Sequence, residues 1–194
     1  VSLNTTNFKK KNITKELHVT YISKQMHKDN ITLAPLTNIL LEKLAESRQA
    51  FSEYIKRPLH PQYPNKEFEE ALPFFLEGRK NNPDEEKWNF LIIDNNSGMV
   101  VGGIGVKKAP SDTFEIEVGY GIVEDMRGKG LATEALKLFI DYCFNSGFVK
   151  TIKAECLESN HASIRILNKI GFKRLEKSRS EEGMLILWSL KQFI

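Results

Sequence analysis

Apolar residues recur along the chain with two different spacings, and the changes between them predict the order of helices and strands. A spacing of three to four residues predicts helices over 38–56, 66–80, 129–146 and 161–170. Short apolar runs and alternating patterns predict strands over 31–36, 87–94, 99–108, 114–123, 149–157, 172–178 and 184–190. Turns with Asn, Asp and Gly join the three strands between 87 and 123, which is typical of an antiparallel meander. This order predicts an α/β (α+β) fold, with about four helices covering a mixed sheet of about seven strands.

Charge is unevenly distributed and divides the chain into two parts. The 194 residues carry a net charge of +3, but residues 1–30 hold six lysines against Glu16 and Asp29, so the remainder is close to neutral. We interpret residues 1–30 as a basic polar leader and residues 31–194 as one domain with a single core. A nucleic-acid partner is not expected, because the predicted domain carries no basic stripe.

Composition narrows the cellular setting. No apolar run approaches the roughly 20 residues that cross a bilayer, and the first residues lack the apolar segment of a secretory signal. The two cysteines, Cys143 and Cys156, lie in a predicted helix and a predicted strand and have no metal-ligand spacing. We therefore expect a cytoplasmic protein with reduced, buried cysteines, no membrane contact and no metal.

The clearest chemical signal is the glycine-rich turn Arg127-Gly128-Lys129-Gly130 between the strand at 114–123 and a helix. A helix start exposes unpaired N–H groups and the positive end of the helix dipole, and glycines let a ligand approach the backbone, so this turn suits a phosphate group. A Walker loop is excluded because Val123 stands where its first glycine belongs. The dinucleotide fingerprint is excluded because Thr133 replaces its third small residue.

A second motif, Asn160-x-x-Ser163 followed by Lys169-x-Gly171-Phe172, lies thirty residues downstream of Gly130. With Arg127-x-x-Gly130-x-Ala132, it resembles the GNAT acetyltransferase superfamily over roughly residues 31–190. The branch of ribosomal-protein N-terminal (alanine/serine) acetyltransferases is the most similar. The segments that carry this likeness are Leu33-Ala34-Pro35-Leu36, Glu117-Val118-Gly119-Tyr120 and Glu134-Ala135-Leu136. That branch usually has Arg at the position of Ala34, which we treat as a structural difference.

The resemblance implies a co-substrate and a sheet geometry. It implies that the chain binds acetyl-CoA and transfers the acetyl group to an amine by direct attack in a ternary complex. It also implies a sheet splayed between its fourth and fifth strands. The residues expected to hold acetyl-CoA are Ile122, Val123, Arg127, Gly128, Lys129, Gly130, Leu131, Ala132, Thr133, Asn160 and Ser163.

Glu117 is the candidate general base. Alternation along its strand places Phe114, Ile116, Val118, Tyr120 and Ile122 on one face, and Glu117, Gly119 and Gly121 on the other. The two glycines leave open space beside the carboxylate, and Glu117 matches the Glu that precedes Gly-Tyr in the family. The alternative is a solvated strand residue. A β-bulge could also shift its phase.

Ser163 is the candidate proton donor to the departing CoA thiolate, with water as the alternative. Many relatives have a Tyr at the position of Leu167, and Leu167 cannot donate a proton. Asn160 can both donate to and accept from the pantetheine amide, which is the role we favour; the alternative is a helix N-cap without a ligand role.

His60 and Tyr63 lie in a proline-rich loop, where this fold builds its acceptor pocket, and are the candidate acceptor contacts. The acceptor suggested by the nearest branch is a protein N-terminal amine. A polyamine, amino sugar or other small amine is the alternative, and a non-catalytic acyl-CoA-binding module is a third possibility. The expected assembly is a monomer or homodimer.

Overall fold

The computed structural model describes residues 25–108 and 114–192 and contains one mixed sheet of eight strands. Its strands are β1 (Met26–Lys28), β2 (Ile31–Pro35), β3 (Asn89–Asp94), β4 (Val100–Lys108), β5 (Glu115–Ile122), β6 (Thr151–Leu157), β7 (Lys173–Ser180) and β8 (Gly183–Lys191). The predicted fold class is confirmed, with one strand more than expected. The additional strand, β1, lies inside the predicted leader and pairs antiparallel with β2; residues 1–24 of that leader lie outside the described residues.

The described part of the chain contains five α-helices, one more than expected. They are α1 (Asn38–Glu46), α2 (Arg48–Ile55), α3 (Lys66–Asn81), α4 (Leu131–Asn145) and α5 (His161–Ile170). The predicted helix over 38–56 is two helices, because Ser47 adopts an extended backbone (φ −174°, ψ 160°). The Ser47 hydroxyl accepts a hydrogen bond from Ala50 N at 3.0 Å, so Ser47 also caps the start of α2.

The strands follow the spatial order β1-β2-β3-β4-β5-β6-β8-β7. Strands β3 to β5 form the predicted antiparallel meander, and β2 pairs antiparallel with β3. Strands β5 and β6 run parallel, and they pair only over residues 115–117 and 151–153. Beyond Glu117 the two strands separate, so the expected splay lies between β5 and β6.

The core is continuous across both faces of the sheet. Consecutive residues of β2 and β3 are buried, which requires cover on both sides, as in sheets between two helical layers. Trp188 in β8 is 2% exposed and belongs to this core. Trp88 is also buried, but it ends the 3-10 helix Pro83–Trp88 and does not lie in a strand.

The start of β5 differs from the alternating pattern. The alternation predicts Phe114 on the apolar face of this strand, but Phe114 precedes the strand, has a left-handed backbone (φ 56°) and is 44% exposed. From Ile116 onward the predicted alternation holds, with Ile116, Val118 and Ile122 buried.

Candidate active site

The predicted phosphate-binding turn follows β5 and the short 3-10 helix Glu124–Met126. Gly128 (φ 77°) and Gly130 (φ 82°) both have left-handed backbones, which residues with a Cβ rarely adopt. A Cβ added at either position would meet no heavy atom within 4 Å. The two glycines are therefore required by the turn itself and border open space.

The first turn of α4 presents backbone donors at this open space. Gly130 is its N-cap and has no side chain with which to cap the helix. The first helical hydrogen bond runs from Glu134 N to Gly130 O at 3.1 Å, so the preceding amides at 131–133 have no acceptor within the helix. Donors and helix dipole together fit the pyrophosphate of acetyl-CoA.

The two cations of the turn are held close to it. Arg127 Nε donates to Ile122 O at 3.3 Å, which ties the guanidinium to the end of β5. Lys129 Nζ lies 3.1 Å from Met126 Sδ. Both positive charges therefore stay beside the helix start, where they favour a bound anion.

Glu117 lies where β5 and β6 separate, on the face shared with Gly119 and Gly121. Its carboxylate forms an ion pair with Lys107 Nζ, which also lies 3.9 Å from Glu155 Oε2. The Glu117 side chain is 32% exposed and thus accessible from the splay. The alternative of a β-bulge in the strand of Glu117 is wrong: the bulge lies in β4, between Val106 and Lys108, and β5 keeps its alternation.

Lys107 was not identified from the sequence as part of the site. It is the extra residue of the bulge in β4, and the bulge brings it beside Glu117. The adjacent lysines 107 and 108 were the only available signal, and they gave no indication of the bulge. The ion pair gives Glu117 a fixed partner on the neighbouring strand.

Asn160 is the N-cap of α5, and its Oδ1 accepts from Ser163 N at 3.1 Å. Asn160 therefore serves as a helix N-cap, which was the alternative role predicted for it. The cap uses only the oxygen of the Asn160 amide, and its NH2 group retains two donors for a ligand carbonyl. Ser163 lies in the first turn of α5 and is half-buried.

Tyr120 was assigned from the sequence only to the apolar face of β5, but its hydroxyl is a second polar group beside Ser163. The Oη atom is buried and has no hydrogen-bond partner among the described residues. Burial raises the pKa of Tyr120, and interaction with the Ser163 hydroxyl opposes that rise. Leu167 is 1% exposed and belongs to the core.

A cavity of about 310 Å³ lies on the Glu117 face of the sheet, between α3 and strands β4 and β5. Tyr63 lines it and is 4% exposed, with its ring stacked on Phe51 at 6.3 Å between centroids. The His60 backbone N–H donates to Val100 O of β4 at 3.0 Å, and its ring Nδ1 accepts from Gln62 N at 3.3 Å, so His60 does not line the cavity. Of the two candidate acceptor contacts, Tyr63 reaches this cavity.

The helix over the cavity is fixed at both ends. Asn65 Oδ1 accepts from Phe68 N at 3.1 Å and caps the start of α3. Near its end, the buried Arg79 donates to Asn38 Oδ1 at 2.8 Å and so ties α3 to α1. These contacts hold the aromatic side chains of α3 above the sheet.

A splayed sheet with a glycine-rich helix start on one side and a cavity on the other is the arrangement of an acyl-CoA-dependent transferase. Residues 30–173 match the family described as acetyltransferase (GNAT) domain. The chain therefore belongs to the GNAT family, and it is an acetyl-CoA-dependent acetyltransferase. The predicted family and enzyme class are confirmed.

Individual relatives agree with this assignment. The chain is 32% identical over 112 residues to the uncharacterized N-acetyltransferase YjdG of Bacillus subtilis, a match that covers 57% of this chain and 67% of that protein. It shares its fold with the ribosomal-protein-S5-alanine acetyltransferase of Vibrio fischeri (17% identity, TM-score 0.59, 86% and 96% of the two chains). The microcin C7 self-immunity acetyltransferase MccE, solved with acetyl-CoA and AMP, also shares it (21%, TM-score 0.60, 85% and 94%).

Two further findings concern the described residues alone. Every helix in them is too short or too polar to span a bilayer. No cluster of three or more His, Cys, Asp or Glu side chains in residues 25–108 and 114–192 could hold a metal ion.

Proposed function

We propose that this chain acetylates a primary amine, foremost a protein N-terminal amine, by direct attack in a ternary complex. The observation that carries the proposal is the position of Glu117 where β5 and β6 separate, on the strand that leads into the glycine-rich turn. The splay gives an extended pantetheine chain a route from that turn to the carboxylate. A protein acceptor is supported by the resemblance to the ribosomal-protein branch, and solved structures from that branch share this fold.

On this proposal, the backbone amides at 128–133 hold the pyrophosphate, and Arg127 and Lys129 add positive charge. Acetyl-CoA would supply the activated acyl group as a thioester. The backbone of the separated segment 118–122 offers N–H donors for negative charge that develops on the acyl oxygen. Asn160 would bind the pantetheine amide with the NH2 group left over from its helix cap.

Glu117 would take the proton from the acceptor ammonium, which must be neutral before it can attack. Lys107 acts as a positioning residue that holds this carboxylate through their ion pair. Ser163 would donate a proton to the departing thiolate, with Tyr120 beside it as a second source and water as the alternative.

A CoA-release assay tests the proposal directly. The purified chain is incubated with acetyl-CoA and peptides with free N-termini, with the same peptides blocked by N-terminal acetylation as the matched control. We expect CoA release that depends on the free amine, and a product mass increased by one acetyl group. Release with small amines alone would favour the small-amine alternative. Acetyl-CoA binding without turnover on any amine would favour the non-catalytic module.

A further inference from the structure

We infer that the cavity beneath α3 receives a large apolar group of the acceptor, so that the preferred substrate is a primary amine carried by an aromatic or bulky aliphatic group. This inference rests on the proposed function and names the substrate class for the same site. The cavity has a volume of about 310 Å³, at the small end of the range for ligand pockets, about 300–1,000 Å³.

Two glycine pairs lie across β4 and β5, and one of them forms the open floor of the cavity. Gly103 lies opposite Gly121, and Gly105 lies opposite Gly119. A Cβ at Gly121 would meet no heavy atom within 4 Å, and a Cβ at Gly103 would make only an ordinary contact, 3.6 Å from Phe90 O. Neither glycine has a positive φ. The fold would therefore accept side chains here, and their absence leaves open space above the sheet.

Gly105 lies in the same strand as Gly103, but close packing against a neighbouring side chain requires it to be a glycine. A Cβ at Gly105 would overlap the Asn89 side chain, so this glycine is required by the fold. Gly103 and Gly121 have no such packing requirement, and they shape the cavity.

The walls of the cavity are aromatic. Phe68 and Phe75 of α3 stack with ring centroids 5.4 Å apart, and both line the cavity. Tyr63 lines it as well and is 4% exposed. Fixed aromatic surfaces around an open floor favour an apolar group, since binding removes apolar surface of both partners from water.

The charges on the cavity lining argue against a polycation. The charged lining residues among those described are Glu67 and Lys107, of opposite sign, and Lys107 is already paired with Glu117. A polyamine or amino sugar carries several ammonium or hydroxyl groups. The lining offers them few partners, because Asn65 and Asn89 already make side-chain hydrogen bonds within the protein. A buried polar group without a partner is costly. One amine at the Glu117 end, with its apolar group in the cavity, satisfies both charge and packing.

The test compares acceptors that share an amine and differ in the group beside it. The probes are phenylethylamine, a peptide beginning with Phe, the same peptide beginning with Gly, and spermidine. We expect kcat/KM for the Phe peptide to exceed that for the Gly peptide at least about ten-fold, the order of discrimination that an apolar pocket provides. Phenylethylamine against the Phe peptide separates a small arylalkylamine from a protein N-terminus as the source. Preference for spermidine or for the Gly peptide would overturn the inference.

Two variants alter the cavity from opposite sides. Gly103→Val fills the floor with a residue suited to a strand, and it should lower kcat/KM for the Phe peptide at least about ten-fold more than for the Gly peptide. Phe75→Ala removes a wall and should raise KM for the Phe peptide. Phe74→Ala is the matched control, because Phe74 neighbours Phe75 on α3, is 80% exposed and does not line the cavity. Equal losses on both peptides with Gly103→Val would contradict the inference.

A binding measurement keeps this inference distinct from the proposed function. Calorimetric titration of the CoA complex with phenylethylamine should give saturable binding that Gly103→Val weakens, with little binding of spermidine. Binding without turnover on any amine would support the apolar cavity and contradict the proposed acetyl transfer. Turnover on the Gly peptide without binding or turnover of the apolar amines would do the reverse.

Discussion

The two sides of β5 are built in different ways. On the cofactor side, the turn at 127–130 is made of backbone: left-handed glycines and the uncapped start of α4, from residues adjacent in sequence. On the acceptor side, the cavity is made of side chains and missing side chains. These come from the Tyr63 loop, α3, β3, β4 and β5.

The two sides differ in which substitutions they tolerate. A backbone turn binds a phosphate through N–H groups that every residue carries, so its requirement is a small number of glycines at fixed positions. The cavity depends on which positions lack a side chain and which carry a ring, so single substitutions can change its shape without disturbing the fold. We therefore expect substitutions on the cofactor side to abolish binding and those on the acceptor side to change selectivity.

The largest expected effect comes from Gly130→Asp. The substitution forces a Cβ onto a left-handed backbone and places a negative charge where the pyrophosphate would bind. Acetyl-CoA should raise the Tm of the wild type by mass action, and this shift should be lost in the variant, as measured by thermal melts with and without ligand.

Gly147→Asp is the matched control for that variant. Gly147 also has a positive φ (75°) and open space where a Cβ would project, but it follows the other end of α4. The control should lower the Tm of the free protein through the same backbone strain and retain the shift with acetyl-CoA. A retained shift in Gly130→Asp would place the cofactor elsewhere.

The next largest effect is expected at Glu117, which lies between the cofactor side and the acceptor side. Glu117→Gln preserves the shape of the side chain and removes its basicity, so kcat should fall about 100-fold, within the usual range for a general base. The acetyl-CoA thermal shift should remain, since Glu117 lies outside the glycine-rich turn. The measurement is steady-state kinetics over a range of pH.

Glu115→Gln is the control for Glu117, since Glu115 lies on the same strand face and forms its own ion pair with Lys153 at 2.7 Å. It should change kcat by less than about two-fold, as expected for an exposed ion pair with little net energy. Equal losses in the two variants, or an unaltered pH profile in Glu117→Gln, would reduce Glu117 to a structural strand residue.

Sequence reasoning succeeded where structure is determined locally. The glycine-rich turn, the bounds of α5 and the alternation of β5 from Ile116 onward all depend on residues within a few positions of one another. The break at Ser47 was missed because the apolar spacing continues through it, and only the hydroxyl cap on Ala50 reveals the second helix.

The unpredicted parts of the site depend on contacts between distant segments. Lys107 reaches Glu117 through a bulge, and a bulge inserts one residue without changing the apolar pattern. The cavity requires α3 to lie over the paired glycines, and nothing local in Phe68 or Phe75 indicates which strands they face. The role of Asn160 as an N-cap was foreseen as an alternative, since capping is a local property.

A smaller effect tests proton delivery at the splay. Ser163→Ala and Tyr120→Phe should each lower kcat less than about ten-fold, because water or the remaining hydroxyl can supply the proton. The double variant should lose more than the product of the two single losses, measured as a double-mutant cycle in kcat. Strictly multiplicative losses would show that the two hydroxyls act independently, and unchanged rates would remove both from the mechanism.

The smallest expected effect concerns the N-terminal segment and separates the two sides once more. Deleting residues 1–24 should leave kcat, the acetyl-CoA thermal shift and acceptor selectivity unchanged, since both sides of the site are built from residues 36–163. Deleting residues 1–29 also removes β1, which pairs with β2 and contacts α4. Asn30 Nδ2 donates to Glu134 Oε1 at 2.9 Å, and Glu134 lies one helical turn after Gly130. The deletion would make Asn30 the free end of the chain. The longer deletion should therefore lower the Tm and weaken acetyl-CoA binding while preserving the ratio of kcat/KM between Phe and Gly peptides. Loss of turnover in the shorter deletion would make residues 1–24 part of the catalytic domain, and a changed peptide ratio in the longer one would show that the two sides are coupled.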